Sequence, residues 1–173
     1  MPLLVLARHA HTVPALDAGT DDFDRPLSRS GAQQAQRMGQ FLADATTGTD
    51  AVIDTVIASS ALRTVHTAEA VAVGLGMAPS SVVRDPSLYS GWVTDWAEAM
   101  VSIPTDAAGA VIVGHQPTVS EVVAYVTGGH ESESRPHFPP SSIAVFRLES
   151  WSQLDAPDIA GAARPELIRH FKE

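Results

Sequence analysis

Ala110-Val111-Ile112-Val113-Gly114 constrains the fold more than any other stretch of the chain. An unbroken apolar run, β-branched at its centre, reads as a strand buried on both faces, which is the environment of a parallel sheet covered by helices. Leu3-Leu4-Val5-Leu6-Ala7 repeats the signal near the N-terminus. Both runs stop abruptly at polar residues, the first at Arg8-His9 and the second at His115-Gln116-Pro117.

Strand and helix patterns alternate between these two runs. Val13–Pro26 is a polar connection carrying Asp17, Asp21, Asp22 and Asp24. A helix starts within Leu27–Gln33, where Ser30 and Gln33 stand at capping-box spacing, and Ala35, Met38, Leu42 and Ala45 form its apolar face. Val52–Ser59 holds a second strand. The helix from about Ala61 to Leu75 buries Val65, Ala68, Ala72 and Leu75 and stops at Gly76. Val82-Val83 is a short strand, and Pro86–Gly91 turns. Val93, Trp96, Ala97 and Met100 mark a helix that ends before Pro104, with Trp92 and Trp96 as core or as a wall of the site entrance, core being the plainer reading. Pro117 suits the first turn of a helix striped by Val119, Val122, Val123 and Val126. A polar loop over Gly128–Pro140, bordering the strand ends with Glu131, Glu133, Arg135 and His137, leads to a last strand over Ser142–Leu148. Residues 149–173, interrupted by Pro157, Gly161 and Pro165, read as irregular.

The expectation is an α/β fold: a three-layer α/β/α arrangement with a mostly parallel open sheet and helices on both faces, in one domain over 1–173 with its core in 3–148. Composition narrows the function. A net charge of −9, with scattered Lys and Arg, argues against a nucleic-acid partner. The chain has no apolar run of the roughly 20 residues that a membrane helix needs. Cysteine is absent, which excludes disulfides, thiolate catalysis and cysteine-held metals. Met1 leads directly into a strand without a signal-peptide pattern, so a cytoplasmic location is expected.

Open parallel sheets bind ligands outside the carboxyl ends of their strands. Arg8 and His9, Ser59 and Arg63, and His115 arrive at that edge from three strands, a set suited to an anion. Arg63 lies in the first turn of its helix, where free backbone N–H groups can join the side chain on the same anion. From the residues alone, the plainer readings stay open: Arg8 as a strand cap, Arg63 as an exposed helix charge, and His9 and His115 as hydrogen-bonded structural histidines. A metal site from His9, His11, the loop aspartates and His115 is a further alternative. Strand alternation, which points His9 and His11 to opposite sides, argues against it.

Arg8-His9-Ala10, then Ser59-Ser60-Ala61-Leu62-Arg63 followed by Thr67-Ala68-Glu69, then Val113-Gly114-His115, each at a strand end and in this order, resemble the histidine phosphatase superfamily, also called the phosphoglycerate-mutase-like fold. The resemblance runs from about Leu3 to Leu148. It is greatest to the small phosphohistidine phosphatase branch, by the short chain, Asp24-Arg25-Pro26-Leu27-Ser28, Gly114-His115-Gln116-Pro117 and Ser141-Ser142-Ile143-Ala144-Val145.

The resemblance implies that His9 is a nucleophile forming a phosphohistidine intermediate, that Arg8 and Arg63 clamp the phosphoryl oxygens with Ser59 beside them, and that His115 stabilises the transferring group, with no metal or cofactor. Many members carry a Glu after a Leu-Tyr-like pair as proton donor. Here Leu88-Tyr89 is followed by Ser90-Gly91-Trp92, so that Glu is missing and the loop carboxylates become the candidate donors, Asp17 and Asp24 first, with solvated loop aspartates or helix-entry caps as the plainer reading of each. Imidazole leaves more readily than an alkoxide. The implied substrate is therefore a phosphohistidine protein or small phosphoramidate, with small phosphate esters as the alternative and a non-catalytic phosphate-binding domain as the reading from another class.

Overall fold

The structure, a computed structural model, describes residues 1–127 and 137–154, together with the backbone of 166–171. In chain order its elements are β1 (Leu3–Arg8), α1 (Ala15–Ala18), α2 (Arg29–Thr46), β2 (Thr55–Ser59), α3 (Leu62–Gly74), β3 (Val83–Asp85), α4 (Ser87–Ser90), α5 (Val93–Val101), β4 (Gly109–Gly114), α6 (Thr118–Thr127), β5 (Ile143–Arg147) and β6 (Glu166–Phe171). Short 3-10 turns occur at Pro79–Ser81 and Trp151–Leu154.

The strands form one sheet in the order β3-β2-β4-β1-β5-β6. β3, β2, β4 and β1 run parallel, while β5 pairs antiparallel with β1 and β6 antiparallel with β5. The two apolar runs are neighbours at the centre, with Leu3 opposite Gly109 and Arg8 opposite Gly114. Their side chains alternate between two cores. Leu4, Leu6, Ala110 and Ile112 pack beneath α5 and α6, whereas Leu3, Val5, Ala7, Val111 and Val113 pack beneath α2 and α3. The mostly parallel three-layer α/β/α architecture is thus present, and strands covered on both faces have no polar side to show, which is why these two read as continuous apolar runs.

Several local expectations shift. The N-cap of α2 is Ser28, whose Oγ accepts the Gly31 amide at 3.0 Å, rather than Ser30. Both serines have the chemistry of a cap, and the docking of Ser28 against His11 selects between them: the Ser28 amide donates to the His11 carbonyl at 3.0 Å. Trp96 is fully buried, but Trp92 is 73% exposed rather than core. The polar connection contains the single turn α1. Residues 149–173 are not wholly irregular: Trp151 and Leu154 are buried, and β6 completes the sheet on the open edge of β5. Backbone groups on that edge accept a further strand, a demand that side-chain patterning does not express. Of the loop read over Gly128–Pro140, Gly128–Pro136 lies outside the described residues, which removes His130, Glu131, Glu133 and Arg135 from view. The side chain of His170 is likewise outside them.

Candidate active site

The carboxyl ends of β2, β4 and β1 lie side by side, and each delivers a group to the same edge. The His9 amide continues the β1–β4 ladder by donating to the Gly114 carbonyl at 3.0 Å. His115 follows immediately on β4, and its ring centroid is 5.5 Å from that of His9. Gly114 makes this possible. A Cβ there would stand 2.2 Å from Cζ2 of the buried Trp96, so only glycine lets α5 close beneath the strand end.

His9 is buried, and its Nδ1 lies 2.8 Å from the Ala10 carbonyl. A carbonyl oxygen only accepts, so Nδ1 carries the proton and Nε2 keeps its lone pair. Burial holds the imidazole pKa down to about 4, with the Ala10 bond opposing and the charges of Arg63, Arg8 and Arg25 adding to the depression. The ring is therefore neutral at physiological pH. The pKa of His115 is held down to about 3, first by burial and then by Arg63 and His9. Its Nε2 lies 2.8 Å from Ser59 Oγ, and its Nδ1 is buried without a partner. Ser59 thereby orients His115.

Arg63, on the first turn of α3, is 5% exposed. Its NH2 donates to Asp22 Oδ2 at 2.8 Å and its NH1 to the Asp22 carbonyl, while its buried Nε has no partner. Arg8 donates from NH1 to the Phe138 carbonyl at 2.8 Å, and its buried Nε is also unpartnered. Thr67 ties the two halves together: its Oγ1 accepts the Ala10 amide at 3.1 Å and donates to the Arg63 carbonyl at 2.7 Å. Two guanidinium Nε–H groups and one imidazole nitrogen are thus buried without partners, a costly state that an oxyanion would relieve.

Not every expected group reaches this place. Asp17, on α1, and Asp24 are both exposed, and neither carboxylate makes a hydrogen bond or ion pair among the described residues. Asp22 is the loop aspartate that meets the site. It binds Arg63, pairs with Arg25 at 2.9 Å and accepts from Tyr89 Oη at 3.2 Å. Burial alone would raise its pKa, but Arg63, Arg25 and the Tyr89 hydroxyl leave it below the usual carboxylate range. Spacing does not choose among four loop aspartates. The available signal is Phe23, the one aromatic of the connection, whose carbonyl accepts the Leu62 amide at 2.9 Å and pins Asp22 beside Arg63. That bond also occupies an α3 amide that would otherwise be free for an anion.

His11 is exposed, with Nδ1 3.0 Å from Ser28 Oγ, and among the described residues no three His, Asp or Glu side chains converge as a metal site. Among the same residues no helix is long and apolar enough to cross a membrane.

Known proteins share this fold. The sequence model of the histidine phosphatase superfamily (branch 1) matches residues 4–89. No curated protein sequence matches the chain. Among solved structures, the protein from Nakamurella multipartitia assigned as phosphohistidine phosphatase SixA is 27% identical, with 99% of this chain and 95% of that one covered and a TM-score of 0.75. A protein histidine phosphatase SixA complexed with tungstate is 28% identical over 84% of this chain and 88% of that one, with a TM-score of 0.69. The Agrobacterium tumefaciens protein likewise assigned to SixA, 21% identical over 100% and 99% of the two chains with a TM-score of 0.75, shares the fold.

Proposed function

The chain belongs to the histidine phosphatase superfamily and is a phosphatase, and on that premise we propose that it is a metal-independent phosphohistidine phosphatase working through a phosphorylated His9. The observation that carries this reading is the tautomer of His9: a buried neutral ring, Nδ1–H committed to the Ala10 carbonyl, and Nε2 free beside two guanidiniums.

In the first step Nε2 attacks phosphorus as the bond to the leaving group breaks. Arg8 and Arg63 hold the non-bridging oxygens, and His115 donates to them. The bound dianion offsets the charges that depress both imidazoles, so His115 takes up a proton as the substrate enters and becomes a stronger donor. Water then cleaves the phosphohistidine, releasing inorganic phosphate and restoring neutral His9. Three cationic groups supply the positive charge this transfer needs, which supports a reaction without metal.

The substrate reading rests on the acid. Asp22 is the carboxylate at the site, and Arg63 keeps it ionised, which makes it a poor proton donor for an alkoxide. A phosphoimidazole that arrives protonated on its distal nitrogen leaves as neutral imidazole and needs no such donor. A phosphorylated protein or small molecule is the partner this implies. The cysteine-free composition fits a reducing, cytoplasmic setting.

The test is a panel of phosphohistidine peptide and unactivated alkyl phosphates, run on wild type and His9→Ala with and without chelator. The expected result is preference for the phosphohistidine peptide, loss of turnover in His9→Ala and indifference to chelator. Undiminished activity of His9→Ala, or faster hydrolysis of alkyl phosphates, would refute the respective part.

A further inference from the structure

Phe23 is 40% exposed on a polar loop, where a large aromatic side chain gains little from burial. Its ring meets Tyr89 edge-on, with centroids 5.0 Å apart at 83°. Tyr89 meets His115 in the same manner, at 5.7 Å and 80°, and His115 lies 5.5 Å from His9. An unbroken series of rings thus runs from the nucleophile to the surface.

Each residue of the series is also held by a polar bond, Phe23 through its backbone. The Tyr89 hydroxyl donates to Asp22, Arg63 grips the same Asp22 immediately before Phe23, the Phe23 carbonyl receives the Leu62 amide, and His115 is bonded to Ser59. The Tyr89 hydroxyl and the backbone under Phe23 are therefore fixed before a ligand arrives, which lowers the ordering cost of binding along this wall.

We propose that Phe23 and Tyr89 form a leaving-group subsite that selects a flat aromatic ring, the imidazole of a phosphoimidazole, over a leaving group without a ring. The inference rests on the phosphatase reading above and adds to it a structural basis for choosing among phosphoramidates. The phosphoryl group lies inward, against Arg8, His9, Arg63 and His115, so the leaving group points outward along the wall. There its ring takes up the edge-to-face geometry that aromatic pairs prefer, and its protonated form gains from the ring faces as a cation. In the transfer the phosphorus–nitrogen bond breaks as the His9 Nε2–phosphorus bond forms. The electron pair stays on the departing nitrogen, and the proton already on the distal nitrogen makes the product neutral imidazole.

Phosphoimidazole and phosphoramidate share the phosphorus–nitrogen bond and differ in the ring, so the ratio of their kcat/KM values isolates the subsite. Loss of one aromatic pair corresponds to roughly a two- to tenfold change. Phe23→Ala is expected to reduce the ratio by about that factor relative to wild type, and Phe23→Tyr to hold it within about twofold, with thermal unfolding confirming that both variants are folded. An unchanged ratio in Phe23→Ala, or an equal loss on both substrates, overturns the subsite while leaving the phosphatase reading intact. A wild-type protein inert to both compounds removes that reading and the subsite with it.

Discussion

Gly114→Ala tests the link between the core and the active site. The added methyl would lie 2.2 Å from Cζ2 and 2.8 Å from Cη2 of Trp96, against an ordinary contact of 3.4–4 Å. Relief therefore demands a displacement of about 1 Å. Trp96 is fully buried, packed among the residues that α5 and α6 set against the sheet, and close-packed interiors do not yield that much without loss elsewhere. Overpacking costs about 1 to 3 kcal/mol, and a rigid indole trapped on all sides places this case near 3 kcal/mol. For a chain of this length that is a fall in Tm of roughly 6 to 12 °C. Whatever part of the shift the backbone absorbs moves His115, the next residue, and a misplacement of about 1 Å at a catalytic group can cost on the order of a hundredfold in rate.

Thermal unfolding and kcat/KM on a phosphoramidate measure the two effects. Trp96→Phe, which removes the atoms in collision, should recover part of both in the double variant, leaving a coupling of at least about 1 kcal/mol. A Gly114→Ala protein with Tm within about 2 °C and activity within about twofold of wild type would refute the reasoning, as would strict additivity with Trp96→Phe.

Three further outcomes are expected. In the unfolded chain His9 and His115 take up protons as pH falls through about 6.5, whereas in the folded protein they do so near 4 and 3, so the unfolded state binds more protons across that window. Stability should fall by on the order of 2 kcal/mol per histidine between pH 7 and pH 5, and saturating phosphate should shrink the loss; equal unfolding free energies by urea titration at the two pH values would contradict it. Arg63→Lys keeps the charge but loses the planar fork that spans Asp22 and an anion, so kcat/KM should drop about ten- to a hundredfold, and a loss under threefold would show that the forked geometry is dispensable. Asp22→Asn removes a carboxylate that competes with the anion for Arg63, so inorganic phosphate should inhibit severalfold more tightly; weaker inhibition would mean that Asp22 serves chiefly to hold Arg63 in place.

Much of the fold was legible because periodicity records how many faces of an element are buried. The two apolar runs announced central strands, and Met38 with Leu42, or Val119 with Val122, announced helix faces. β6 was not legible, since joining an open sheet edge depends on backbone groups that every residue possesses. Choosing Ser28 over Ser30 as a cap depended on His11, which meets α2 only in the folded chain.

The residues at and just beyond the strand ends determined by themselves what chemistry this protein can perform: Arg8-His9, Arg63 and His115 are anion-binding and nucleophilic types whatever surrounds them. Tertiary structure decided which of them meet, by inserting β4 between β2 and β1. It also decided that Asp22, and neither Asp17 nor Asp24, faces Arg63. The physical reason is one of range. Burial and hydrogen-bonding types are properties of single residues and their near neighbours, whereas the position of an exposed loop carboxylate is set by contacts such as Phe23 with Leu62 and Tyr89, made across long stretches of chain only once the sheet has formed.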